Sequence, residues 1–310
     1  MYYVLVMLAV VCIAANSVLT NAYRLLRGDA TDALRRGIPV AFVTTLFFLA
    51  LNLFRIEWSA FSLWMAVGLA ALSVGNNFLL FIGFSKGNMS LIVMFQMLGT
   101  MLLPFLYGVA VGNECTAFQI VGIATLILSL LLPVVRPRRR GENPKQKIRA
   151  SFPLLCAAVF FISGGIGILS YLHSNSALAV SETGFCILLN FMCGVWSVLL
   201  LAGFSLCARK TRAPVPDKTR APVPDAARGG KIKILLAVLI AASAVMGGLS
   251  YLFQLMGASH LPATALYPMV TGGTIVLTAL AGRVCFREKQ SPSGWLSVGI
   301  AFLGTVMFVF

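Results

Sequence analysis

Apolar residues fill ten long stretches of this 310-residue chain, and shorter polar segments separate them. A helix that crosses a bilayer needs about 20 mostly apolar residues, which matches the length of these stretches. The pattern therefore predicts an all-α integral membrane protein with about ten transmembrane helices. The predicted spans are residues 2–20, 38–54, 62–84, 89–110, 116–135, 152–172, 184–206, 234–256, 262–282 and 293–310.

The distribution of acidic residues supports these spans. Only 11% of the residues are charged and 59% are hydrophobic, whereas about 25% of the residues of a soluble domain are charged. All nine acidic residues lie in loops or near the ends of spans. A carboxylate near the centre of a bilayer is costly, so a spanning segment is expected to lack one.

The basic residues indicate an orientation. We number each loop after the span that precedes it, and every Lys and Arg except Arg55 then falls in an odd-numbered loop. Cytoplasmic loops are rich in Lys and Arg, so we expect a multi-pass protein of the cell membrane with its odd-numbered loops in the cytoplasm and both termini outside. These loops account for the net charge of +15. They predict contact with anionic lipid and no nucleic acid as a partner.

A basic connecting loop, residues 136–151, divides the chain into two halves of five spans each, residues 1–135 and 152–310. An odd number of spans per half inserts the second half upside down, as in transporters built from inverted repeats. A weak internal similarity agrees, since Gly75 matches Gly247 at an offset of 172 and Glu114 corresponds to Glu288 at an offset of 174. We expect two inverted five-helix repeats.

The loop at residues 207–233 contains an octapeptide, Lys-Thr-Arg-Ala-Pro-Val-Pro-Asp, which is repeated without change at 210–217 and 218–225. A segment so rich in proline and charge cannot pack a core, and we expect a mobile linker there. A duplication tolerated in a surface loop explains the repeat better than a binding role does.

Two tracts carry a resemblance to a known family. The first is Leu98-Gly-Thr-Met-Leu-Leu-Pro-Phe-Leu-Tyr-Gly108 with Gly112-Asn-Glu114 and Gln119-Ile-Val-Gly122, and the second is Tyr267-Pro-Met-Val-Thr-Gly-Gly273 with Phe286-Arg-Glu288-Lys, Gly299 and Gly304. Each resembles the end of an EamA domain, so the chain is similar to the EamA branch of the drug/metabolite transporter superfamily along its whole length. The resemblance implies a ten-helix transporter. It also implies export, which is more usual than import in this family.

Polar residues inside the spans are the candidate substrate contacts, because an amide or hydroxyl in lipid needs a partner or a water-filled cavity. Several of them share a helix face at spacings of three and four, namely Ser243, Gly247, Ser250 and Gln254 in the eighth span and Tyr267, Thr271, Thr274 and Thr278 in the ninth. The candidate substrate-binding residues are Asn76, Asn77, Gln96, Asn190, Gln254, Tyr267 and Thr271. The alternative is that such side chains bond their own backbone or hold helices together.

A second set of residues has a predicted structural or gating role. Pro104 and Pro268 lie inside spans, where each removes a backbone donor and tends to kink the helix. Gly272 and Gly273 follow Pro268 by about one turn, which suits either a hinge or close packing. Glu114 and Glu288 match the recurrent glutamate of the family and lie at span ends, where they suit a structural role.

The sequence predicts neither an enzyme nor a cofactor. It contains two histidines and seven cysteines without a C-x-x-C pair, so no metal site is expected, and it lacks the common motifs of hydrolases and nucleotide-binding proteins. The leading hypothesis is a secondary transporter of a small metabolite or drug-like compound that works by alternating access. The alternative is a non-transporting assembly or sensory component of the membrane. The oligomeric state is open, with a homodimer as one arrangement.

Overall fold

The computed structural model describes residues 2–27, 32–86, 89–132, 151–210, 230–286 and 292–308. Within these ranges every regular element is an α-helix, so the predicted all-α class is confirmed there. The ten helices are α1 (Tyr2–Arg27), α2 (Asp32–Leu51), α3 (Ala60–Lys86), α4 (Met89–Ala110), α5 (Ala117–Leu131), α6 (Ser151–Ser174), α7 (Glu182–Lys210), α8 (Gly230–Ala258), α9 (Ala263–Phe286) and α10 (Pro292–Val306).

Seven of these helices, namely α1, α3, α4, α6, α7, α8 and α9, are long and apolar enough to cross a membrane. The helices α5 and α10 are apolar but have only 15 residues each. A helix of that length measures about 22 Å at 1.5 Å per residue, which is less than the hydrocarbon core of a bilayer. The helix α2 has 20 residues but starts with a charged turn. Ten spans therefore stay a prediction.

Helix boundaries differ from the predicted spans where polar turns extend a helix beyond its apolar part. The helix α2 begins at Asp32, before the predicted start at residue 38, and it ends at Leu51 because Leu53 and Phe54 adopt positive φ angles of 51° and 60°. The helices α7 and α8 reach Lys210 and Gly230, and so extend into both ends of the predicted loop 207–233. The rest of that loop and nearly all of the connecting loop 136–151 lie outside the described residues.

The packing of the helices places both halves of the chain in one bundle. The helix α1 packs against α8 and α9, and α6 packs against α3 and α4. Further pairs are α2 with α7, α5 with α10, α4 with α9, α3 with α7 and α2 with α8. Most of these pairs join a helix of the first half to one of the second, so neither half forms a separate unit.

The even-numbered loops lie together on one face, which we call the even face. The backbone N–H of Ser181 donates to Glu57 Oε2 at 3.1 Å, and this bond joins loop 6 to loop 2. The Asn175 amide donates to the Ala258 carbonyl at 2.9 Å, which brings the end of α8 to loop 6. Each helix has one end at an even-numbered loop or a chain terminus, and the opposite helix ends lie on the other face of the bundle, which we call the odd face.

The connection between α4 and α5 shows how the even face is built locally. Gly112, with φ of 89°, terminates α4 in a conformation that glycine adopts without strain. Thr116 caps α5 by accepting a hydrogen bond from the Gln119 N–H at 3.3 Å. Glu114, between them, is exposed, and its carbonyl lies 3.5 Å from the Thr264 hydroxyl. The contact uses the backbone of Glu114, and the structural or gating role predicted for its side chain stays a prediction.

Buried apolar side chains form three clusters, and large apolar side chains also cover the outside of the bundle. One cluster joins α1, α4, α5, α9, α10 and the end of α8, a second joins α2, α3, α7 and α8, and a third joins the odd-face ends of α3, α4 and α6. Exposed examples on the outer surface are Met7, Leu46, Trp64, Leu154, Phe161, Leu199, Val238 and Phe302. An apolar exterior on helices of this length is compatible with a membrane protein.

Candidate functional site

A cavity of about 400 Å³ lies inside the bundle, between α1, α4, α6, α8 and α9. Two of these helices, α1 and α4, come from the first half of the chain, and the other three come from the second. The volume falls in the lower part of the range of about 300–1,000 Å³ that is typical of small-molecule sites. Its position at the junction of the halves is where the inverted-repeat hypothesis expects a substrate site.

Four of the seven candidate substrate-binding residues line this cavity. They are Gln96 on α4, Gln254 on α8, and Tyr267 and Thr271 on α9. Tyr267 and Thr271 are 8% exposed, and Gln96 and Gln254 are half-buried. The fold therefore brings together polar residues that are up to 175 positions apart in the chain, as the difference between 96 and 271 shows. Their contact with a substrate stays a prediction.

The other three candidates do not line the cavity. Asn76 on α3 is 5% exposed, and its Oδ1 accepts no hydrogen bond from any described residue. Asn77 is exposed. Asn190 on α7 donates its amide to the Cys186 carbonyl one turn back at 2.8 Å, which is the local bonding that the alternative interpretation expected.

Several polar residues of the lining are absent from the set predicted from the sequence. Ser163 and Ser170 lie on α6 with Gly167 between them, Tyr251 lies on α8, and Ser17 lies on α1. The spacing of four and three from Ser163 through Gly167 to Ser170 is the same signal that marked the stripes on α8 and α9. The spacing of polar and small residues on α6 could therefore have predicted that this helix forms a wall of the cavity.

Hydrogen bonds within the protein occupy most hydroxyl groups around the cavity. Tyr267 donates to the Gly167 carbonyl, the Ser170 and Tyr251 hydroxyls are 2.9 Å apart, and Thr100 donates to the Met97 carbonyl at 2.9 Å. Gln254 uses one amide hydrogen on the Ser250 carbonyl at 3.2 Å, which leaves its Oε1 free to accept. Among the described residues the Gln96 amide has no hydrogen-bond partner, and the buried Thr274 hydroxyl of the lining has none either.

The end of the cavity toward the even face is closed by packed side chains. Ala258 and Tyr267 belong both to the lining and to the largest buried apolar cluster, which continues through Val6, Leu261 and Phe105. The Tyr267–Gly167 hydrogen bond joins α9 to α6 across this end. This layer separates the cavity from the even-numbered loops.

Toward the odd face the cavity adjoins a second one of about 220 Å³ between α1 and α9. Ser17 lines both cavities. Asn21 on α1 and Phe286 on α9 line the second cavity close to the ends of their helices. The two cavities follow one another from the middle of the bundle toward the odd face.

The prolines and glycines with a predicted structural or gating role lie at close contacts. Pro104 of α4 and Tyr267 of α9 both approach Gly167 so closely that a Cβ there would lie 2.7 Å from Pro104 Cγ and 3.2 Å from Tyr267 Cε1. Pro268 is buried within α9. A Cβ on Gly272 would collide with Thr305, and one on Gly273 would lie 3.0 Å from Val10.

These contacts favour close packing over a hinge at the Gly272–Gly273 pair, since α9 is a continuous helix through both residues. The second glutamate of the predicted set, Glu288, lies outside the described residues. Among the described residues no cluster of His, Cys, Asp and Glu is arranged to hold a metal ion.

Comparison with known proteins gives a fold and no family. No family model matches the chain, and no curated protein matches it. Among solved structures 28 chains match. One of them, a crystal structure whose description names no function, has a TM-score of 0.69 and 12% identity, and the match covers 99% of this chain and 95% of that one. At this identity the likeness extends to the fold alone.

Proposed function

We propose that this protein is a secondary transporter of a small metabolite or drug-like compound, similar to the EamA branch of the drug/metabolite transporters. In this proposal all ten helices span the cell membrane as two inverted halves. The cavity between the halves holds the substrate, and it opens to one side of the membrane at a time. No catalytic residue or cofactor is part of the mechanism.

The pattern of helix neighbours supports the inverted halves. If the two halves are equivalent, α1 to α5 correspond to α6 to α10, and each packed pair has a counterpart. The pair α1–α8 corresponds to α6–α3, α4–α6 corresponds to α9–α1, and α3–α7 corresponds to α8–α2. The pairs α2–α7, α4–α9 and α5–α10 correspond to themselves. A bundle with this pairing has the layout expected of a pseudo-twofold axis between the halves.

The cavity carries the functional proposal. It lies at the junction of the halves, it presents uncharged hydrogen-bonding groups, and packed side chains close its end toward the even face. A second cavity adjoins it toward the odd face. A site that is closed at one end and approachable at the other is what one state of an alternating-access transporter requires.

The basic residues indicate which side of the membrane this conformation of the cavity faces. If the odd-numbered loops are cytoplasmic, as the positive-inside rule indicates, the second cavity lies on the cytoplasmic side. The conformation is then inward-facing, ready to take a substrate from the cytoplasm. This arrangement fits export, which the family resemblance also implies.

Flux from vesicles tests the proposal. The purified chain is reconstituted into proteoliposomes loaded with a mixture of small metabolites, and their contents are measured by mass spectrometry over time. We expect selective, protein-dependent loss of one chemical group of compounds, and much slower loss with the double variant Gln96→Ala and Gln254→Ala. If folded protein causes no selective loss in either insertion orientation, transport is wrong and the non-transporting alternative gains.

A further inference from the structure

The electrostatics of the cavity limit what it can hold. None of its described lining residues is charged. The sequence extends this observation, because α1, α4, α6, α8 and α9 contain no Asp, Glu, Lys or Arg over Tyr2–Tyr23, Leu91–Ala110, Phe152–Ser174, Ile234–Ala258 and residues 263–282. An ion that enters such a site loses hydration and gains no counter-charge, which costs several kcal/mol per ion.

Transporters can also bind ions at the ends of broken helices, whose exposed backbone dipoles replace a charged side chain. The five helices around this cavity are continuous through the lining positions. The cavity wall therefore offers no helix N-terminus to a carboxylate. The lining has neither a helix N-terminus nor a charged side chain to stabilise an ionic ligand.

The lining instead provides two side-chain amides. Gln96 lies on α4, which packs against α6 and α9, whereas Gln254 lies on α8, which packs against α1 and α2. The Gln96 amide has no partner among the described residues, and Gln254 keeps a free acceptor. An amide offers a donor and an acceptor together, so it pairs best with a ligand that carries both without a charge.

We infer that the cavity selects small uncharged ligands that carry a donor and an acceptor together, such as carboxamides and cyclic amides. This inference rests on the proposed function, because it names the class of substrate that would be transported. Binding of a ligand to the cavity can be measured whether or not the protein transports it. It assigns Gln96 and Gln254 as the residues that set the preference for a neutral ligand.

Binding of matched probes to the purified full chain in detergent tests this inference. Nicotinamide, nicotinate and 3-(aminomethyl)pyridine share one ring and are neutral, anionic and cationic at pH 7, and benzamide, benzoate and benzylamine form a second trio. We expect each amide to bind at least about a hundredfold more tightly than its charged partners. A hundredfold corresponds to about 2.8 kcal/mol, and the penalty of several kcal/mol for an ion is at least that large.

A charge introduced into the lining tests the assignment of residues. Gln254→Glu keeps the shape of the side chain and adds a carboxylate, so it should reverse the order in favour of the amine by about tenfold or more. Asn77→Asp adds the same charge at an exposed position outside the lining, and it should leave the order unchanged.

Each outcome decides the inference separately from the function. The inference is wrong if the three members of a trio bind equally, or if an acid or amine binds the unmodified chain more tightly than the amide does. It is also wrong if neither amide binds. Binding of the amides without flux would keep the inference and reject transport. Selective flux of anions or cations would keep transport and reject the neutral class.

Discussion

Two helix pairs that correspond under the proposed symmetry are packed differently. The pair α4–α6 is close along its whole length. Ile92 and Cys156 share a buried cluster near the odd face, Gly164 lies directly against Leu103 in the middle, and the Tyr107 and Tyr171 rings are 6.3 Å apart near the even face. The glycines allow the backbones to approach, as small residues do between membrane helices.

The corresponding pair α9–α1 is close at one end only. Val6 packs with Leu266 and Val270 near the even face, and Gly273 contacts Val10. Beyond these contacts the second cavity lies between the two helices. The two helix pairs therefore differ in local spacing, and the second cavity, which adjoins the central one, lies along the more loosely packed pair. Alternating access would require α1 and α9 to close on the odd side.

The largest effect is expected where α4 and α6 are closest. A Cβ on Gly99 would collide with the Phe160 carbonyl and the Ser163 hydroxyl, and the carbonyl belongs to a rigid helix backbone. Gly99→Ala should therefore destabilise the protein by about 3 kcal/mol or more, at the upper end of overpacking costs. Folded protein after extraction in detergent, and its thermal unfolding, are the measurements.

Gly68→Ala on α3 is the matched control. A Cβ there meets nothing within 4 Å. Alanine in place of glycine in an unobstructed helix stabilises by about 0.4–1 kcal/mol. If Gly99→Ala is as stable as Gly68→Ala, the two helices are not in close contact and the comparison between the pairs fails.

Closing the gap between α1 and α9 should have the next largest effect. In a chain without native cysteines, Thr278→Cys places a thiol in the second cavity. A bulky, charged, membrane-impermeant thiol reagent should react there from the odd face and remove most of the flux, because the added group obstructs the route to the central cavity. Thiol labelling and flux are measured in vesicles of each orientation.

The control for this experiment is Thr45→Cys on α2. Both threonines donate to a carbonyl four residues back, at 2.8 Å for Thr45 and 2.6 Å for Thr278, but Thr45 lines neither cavity. Its flux should survive the reagent. Faster reaction of Thr278→Cys from the even face would show that the second cavity opens the other way.

Replacing the cavity amides should weaken binding without loss of folding. An uncharged hydrogen bond contributes about 0.5–1.5 kcal/mol net, so Gln96→Ala or Gln254→Ala should each weaken ligand binding up to about tenfold. Asn190→Ala removes an amide that bonds its own helix outside the lining, and it should leave the affinity unchanged. If the two glutamine variants lose folded protein and keep their affinity, these residues hold helices together and the site is wrong.

The sequence could predict the helices and part of the site because the relevant signals are local. The length of apolar runs marks a helix, and a polar side chain at spacings of three and four marks a face. The spacing of Ser243, Gly247, Ser250 and Gln254 predicts one shared face of α8, but of these four residues only Gln254 lines the cavity. Nearer the odd face α1 and α2 cover that face, with Asn16 beside Gly247 and Arg36 bonded to Ser243 at 2.8 Å.

The remaining misplacements have the same origin. Whether Asn76 or Asn77 meets a cavity depends on which helices surround α3, and that depends on contacts between distant parts of the chain. The periodicity of α3 cannot report those contacts. The wall formed by α6 was missed for the opposite reason, since serines such as Ser163 and Ser170 are too common in membrane helices to stand out.

A smaller effect is expected at the closed end of the cavity. Tyr267→Phe removes the hydrogen bond to the Gly167 carbonyl that joins α9 to α6, and it should cost about 1 kcal/mol and lower the thermal unfolding temperature. Tyr251→Phe is the control, because its partner Ser170 can turn its hydroxyl to its own backbone and lose less. A larger loss of stability for Tyr251→Phe would mean that the contact between α6 and α8 stabilises the bundle more than the contact between α6 and α9 does.

The smallest effect concerns the loops of the even face and depends on pH. Hydrogen bonds from the Ser181 hydroxyl and backbone N–H lower the pKa of Glu57 below its ordinary value. Stability from a lowered pKa is fully present above the unfolded value of about 4.3 and is lost as the pH falls through the lower folded value.

Glu57→Gln should therefore unfold at a slightly lower temperature than the unmodified chain at pH 7, and the difference in unfolding temperature should vanish at acid pH. The difference should be small because Glu57 is exposed and water screens its interactions. Equal unfolding temperatures of Glu57→Gln and the unmodified chain at pH 7 would mean that the Glu57–Ser181 contact does not hold loops 2 and 6 together.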